Sequence, residues 1–138
     1  MSFKIRNIYY LIAGILAILF AFTHAWNGQS IVLPMLEINA IPIGAQTEFK
    51  YVWHIITAEN LIFGIAFIFM SFQKGQSKTR LAAWVITTIL VFRLVVILGI
   101  TVLFDVSALK DTLIDSVAIV IYVALIIKGI TMKGKLTE

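Results

Sequence analysis

Long apolar runs alternate with short polar breaks along the whole chain. Ile8–Trp26, Tyr51–Phe72, Leu81–Phe104 and Leu109–Ile127 stand out, each close to the ~20 residues that cross ~30 Å of hydrocarbon. The break QKGQSKTR at 73–80 reads as a tight polar turn. The break FDVSALKD at 104–111 reads as a short link in which Asp105 or Ser107 caps the fourth helix. The runs show no apolar–polar alternation, which argues against a closed β-barrel, the other way to satisfy backbone groups in lipid. The pattern predicts an all-α integral membrane protein, a four-transmembrane-helix antiparallel bundle occupying 1–138 as a single domain.

The segment between the first two runs, NGQSIVLPMLEINAIPIGAQTEFK, is long and unusually apolar. Pro34 and Pro42 exclude another deep span of this length. A long apolar outer loop over 27–50 is therefore expected, forming a short interfacial helix or a folded cap. It rests on lipid headgroups or serves as a lid over a site.

Composition agrees with this pattern. Of 138 residues, 61% are hydrophobic and 13% charged, and the mean hydropathy is +1.02; a soluble domain is roughly half apolar. The chain has no cysteine, which excludes disulfides, thiolate metal sites and cysteine nucleophiles. A net charge of +4 does not imply a nucleic-acid partner, because the cations flank the apolar runs. Lys4, Arg6, Lys74, Lys78, Arg80, Lys128, Lys133 and Lys135 share one side in a four-span arrangement, with only Lys50 and Lys110 opposite. The positive-inside rule then places both termini in the cytoplasm (N-in, C-in), in a plasma or inner membrane. The first run has the length of a full span and a poor A-x-A site, so it is read as a retained helix rather than a signal peptide.

Five ionisable residues interrupt the runs: His24, His54, Glu59, Arg93 and Asp115. Charge within hydrocarbon is costly, roughly 2.5–3.5 kcal/mol for a central Arg or Asp on insertion scales, so such residues turn inward and find partners. All five fall in the outer half of their spans. At about 100° per residue, His24 shares a face with Ala13, Ala17 and Ala21, and Asp115 with Ala118, Tyr122 and Gly129. Trp53, Thr57, Asn60 and Gly64 form a third stripe, with His54 and Glu59 flanking it about 140° apart. Arg93 needs an anion, and Glu59 is the partner expected from depth, with Asp115 as a second acceptor.

These residues allow several functions. One is a polar pocket in the outer half for a small-molecule or lipid ligand, formed by His24, Asn27, Trp53, His54, Glu59, Asn60, Arg93 and Asp115. Another is a metal or haem site on His24 and His54, although no E-x-x-H or H-x-x-x-H spacing accompanies them. A third is an accessory subunit with a structural ion-pair network, in which Gly14, Gly64 or Gly99 faces lipid and mediates association, including with a second copy. Proton-coupled transport and acid–base chemistry on a lipophilic substrate complete the set. The bilayer is a partner in every case. No G-x-S-x-G elbow, P-loop or dinucleotide fingerprint is present.

Overall fold

The computed structural model describes residues 4–74 and 76–132, and no strand occurs among them. The helices are α1 (Ile8–Asn27), α2 (Leu33–Ile38), α3 (Ile43–Phe72), α4 (Gln76–Phe104) and α5 (Leu109–Thr131). A π-helical segment, Gly28–Val32, joins α1 to α2, and a 3-10 turn, Val106–Ala108, precedes α5. Four stretches are long and apolar enough to cross a membrane: Ile8–Ile38, Ile43–Phe72, Ser77–Phe104 and Val106–Thr131. These are the features of a four-helix membrane bundle.

The expected outer loop needs correction. Residues 28–38 continue the first helix and 43–50 begin the next, leaving only Asn39–Pro42 between them. Neither proline breaks a helix interior. Pro34 lies in the first turn of α2, directly after the π segment, where the helical register changes. Pro42 precedes α3, and its carbonyl accepts from the Gln46 N–H at 3.0 Å. The reversal itself is a Schellman turn. Ile41 N–H donates to Leu36 O (3.2 Å) and Ala40 N–H to Glu37 O (3.1 Å), with Ala40 left-handed at φ 52°. The first stretch is consequently 31 residues, or about 46 Å, longer than the hydrocarbon layer. The 73–80 turn also shrinks, because α4 already begins at Gln76. Asp105 caps the 3-10 segment, accepting from the Ser107 N–H, whereas α5 follows Ala108 without a side-chain cap, so neither Asp105 nor Ser107 caps the fourth long helix as expected.

The described chain forms two compact units, Gly14–Ile68 and Met1–Ala13 with Phe69–Glu138. Apolar burial does little to hold helices together in lipid, which is as apolar as a protein interior, so close packing and hydrogen bonds matter more. In the 14–68 unit, Gly14 and Gly64 provide the closest approach. A Cβ on Gly14 would lie 2.8 Å from Gly64 O and 2.9 Å from Ile68 N. A Cβ on Gly64 would lie 2.9 Å from Gly14 O and 3.0 Å from Ile18 N. Backbone thus touches backbone, and only glycine fits on either side. This corrects the expectation that Gly14 and Gly64 face lipid; Gly99 does face open space.

In the other unit, α4 packs on α5, and Ala83, Ile86, Thr87 and Leu90 of α4 are buried at helical spacing. Buried Asn7 ties the helix ends together. Its backbone N–H donates to Ser71 O (3.1 Å), its side-chain Nδ2 to Gly129 O (2.8 Å), and its Oδ1 accepts from the Tyr10 N–H (3.2 Å). The Tyr122 hydroxyl donates to Ala13 O at 3.1 Å. Gly129 is required here too, since a Cβ would meet the Tyr10 ring at 2.6 Å. Tyr122 and Gly129 are buried as their stripe predicts, but Asp115 is exposed and Ser116 is the buried residue beside it. Lys133 and Lys135 lie outside the described residues.

Candidate ligand site

The 14–68 hairpin gathers polar and aromatic side chains around the π segment. A π turn widens the helix and disturbs the regular i→i−4 ladder, so nearby carbonyls become available to side-chain donors. Two carbonyls just upstream are used in this way. The Trp53 indole Nε1 donates to His24 O at 3.0 Å, and the Ser30 hydroxyl donates to Trp26 O. The Trp53 ring also lies flat on the His24 imidazole, with centroids 4.2 Å apart and planes inclined by 6°. Phe49 packs on Trp53, with ring centroids 5.9 Å apart. Gly28 leaves room for this arrangement: any Cβ there would overlap the indole.

At the next residue on each helix, Gln29 Nε2 lies 2.9 Å from His54 Nε2. With the amide as donor, Nε2 holds the lone pair and the neutral imidazole carries its proton on Nδ1. Lys50 Nζ pairs with Glu37 Oε1 at 3.0 Å across the Schellman turn. Both partners are exposed, so the pair orients Lys50 more than it stabilises the fold. Gln46, buried, donates from Nε2 to Ile41 O at 2.8 Å and secures the same turn. Along α3, Thr47, Lys50, Tyr51, His54, Ile55 and Ala58 line a shallow open groove of about 540 Å³. Their spacing places all six on one helical stripe.

Comparison with protein-family models, curated proteins and solved structures finds no match. The reading of the site therefore depends on this chain's own residues.

His24 and Trp53 come together directly. His54 is exposed and engages Gln29, a residue the sequence argument did not single out. Asn27 is exposed at the end of α1, while Glu59 and Asn60 are half-buried further along α3. On α3, Trp53, Thr57 and Asn60 are half-buried and Gly64 is buried. Arg93, half-buried, and Asp115, exposed, belong to the other unit. No group of three or more His, Cys, Asp or Glu side chains placed to hold a metal occurs among the described residues. The imidazole of His24 is stacked on an indole, and Nε2 of His54 is bonded to an amide.

Sequence reasoning missed Gly28, Gln29, Glu37 and Lys50 as supports of this site. A signal existed for Lys50 and Glu37: Lys50 is the only lysine or arginine between Arg6 and Lys74, and Glu37 is an acid across the 39–42 turn from it. The roles of Gly28 and Gln29 depend on the π register, which no local pattern announces.

Proposed function

We propose that this integral membrane protein binds an amphipathic ligand at the α1–α3 hairpin, with an apolar body along α3 and a hydrogen-bond-accepting head at Lys50 and His54. The observation that carries this reading is the α3 groove, where Tyr51, Ile55 and Ala58 supply apolar surface beside Thr47, Lys50 and His54. Binding grooves combine a mostly apolar lining with a few placed polar groups. Both polar anchors are held from outside the groove, His54 by Gln29 and Lys50 by Glu37. That leaves the Nδ1–H and the ammonium as donors. Trp53, on the other face of α3, stacks on His24 and fixes that helix against α1.

The proposed topology places both termini in the cytoplasm and this groove on the opposite side. A single cysteine is easily introduced into a chain that has none. Lys74→Cys should label only from the cytoplasmic side of intact cells, and labelling from outside would reverse the orientation.

The groove is tested by filling it. Protein purified in mild detergent should retain an amphiphile at a fixed molar ratio by mass spectrometry, and Ala58→Trp should lose it while folding normally. An identical profile of retained amphiphiles in both proteins would refute the site.

A further inference from the structure

The unit made of Met1–Ala13 and Phe69–Glu138 gathers cations at one end. Arg6 N–H donates to Ser71 O at 2.8 Å, which brings Lys4 and Arg6 to the turn that carries Lys74. Asn7 Nδ2 bonds Gly129 O at 2.8 Å, which adds Lys128. The Arg80 guanidinium reaches Met132 O at 3.2 Å, joining the start of α4 to the end of α5. Lys4, Arg6, Lys74, Lys78 and Lys128 are all exposed. None of these five has an acidic partner among the described residues. The described acids Glu37, Glu48, Glu59, Asp105, Asp111 and Asp115 lie elsewhere in the chain.

A cationic cluster of this kind fits many anions, but its flanks are selective. Ile5 lies between Lys4 and Arg6, Ile8 follows Arg6 by two residues, and Leu81 follows Lys78 by three; all three are exposed. The cations before α1 and in the first turn of α4 therefore have exposed apolar residues beside them in the chain. The complementary partner carries an anionic head above an acyl chain. Free phosphate and an acidic peptide match the charge but not the apolar flank. We propose that this end is a docking surface for anionic phospholipid headgroups.

The test titrates the detergent-purified full chain with phosphatidylglycerol or phosphatidylcholine of matched acyl chains and counts retained lipid by native mass spectrometry. Wild-type protein should retain phosphatidylglycerol in preference, and the preference should weaken as salt rises. Removing three surface cations in Lys74→Gln/Lys78→Gln/Lys128→Gln should lower phosphatidylglycerol affinity on the order of a hundredfold. The matching triple Lys→Arg variant should keep it, and so should Lys110→Gln, whose cation lies near the start of α5. Equal retention of both lipids by the wild type would overturn the proposal. So would a Gln triple variant that retains phosphatidylglycerol like the wild type, or its loss in Lys110→Gln.

Discussion

Replacing Gly64 with valine tests the central packing argument for the 14–68 hairpin. The added Cβ would start 2.9 Å from Gly14 O and 3.0 Å from Ile18 N, whereas ordinary contact begins near 3.4 Å. Both atoms are backbone, so no rotamer change relieves the overlap, and the helices must separate by about 0.5 Å to admit even the first carbon. A gap of that size forfeits about a quarter of each pairwise dispersion well along the seam. Overpacking of this kind costs about 1–3 kcal/mol. Valine also has a slightly better helix propensity than glycine, by roughly 0.3 kcal/mol, which partly masks the loss. Gly99→Val removes that ambiguity, because it makes the same exchange within a helix where a Cβ meets nothing within 4 Å. The assay is unfolding by sodium dodecyl sulfate in mixed micelles, followed by helical ellipticity. Gly64→Val should unfold at a lower detergent fraction than Gly99→Val, with the difference worth about 1–3 kcal/mol. Coincident unfolding curves for the two variants would refute the backbone-to-backbone crossing.

Three further outcomes follow from other contacts. Asn7→Ala removes the donor to Gly129 O and the acceptor for Tyr10 N–H, which should destabilise the protein by about 1–3 kcal/mol. Asn7→Asp keeps the acceptor and should fall between, and wild-type stability in both would show that Asn7 does not tie the helix ends. Ala40→Gly relieves a left-handed alanine and should raise stability by about 1 kcal/mol in the same unfolding assay; a decrease would contradict the Schellman geometry. The Asp105 carboxyl lies below its usual value of 3.8, chiefly because the Ser107 hydroxyl donates to it. Its contribution is complete above the ordinary carboxylate pKa and is lost as pH falls through the lowered one. Ser107→Ala should move the Asp105 titration upward by carboxyl-carbon NMR, and an unmoved titration would exclude the capping bond.

The apolar runs determined by themselves that this chain forms helices of membrane-spanning length. In lipid a backbone without internal hydrogen bonds is prohibitively costly, so a run of sufficient length has essentially one structure. The stripes through Ala17, Ala21 and Gly64 were legible for the same reason, since small residues at helical spacing permit close approach. Helix ends were less legible. Pro34 and Pro42 looked like breakers of a long stretch, yet Pro34 lies in the first turn of α2 and α3 begins directly after Pro42.

Which polar groups meet also required three dimensions. Asn7 bonds Gly129 across 122 residues of sequence, and Gln29 meets His54 through a π turn that shifts the helical phase. Asp115 shares an ideal stripe with Tyr122 and Gly129 but remains exposed, because periodicity assigns a direction and cannot say whether a neighbour is present there. Sequence thus set the type and length of each helix through local hydrogen bonding. The tertiary structure set the contacts, because a hydrogen bond or a glycine crossing depends on sub-ångström placement that helical phase alone does not encode.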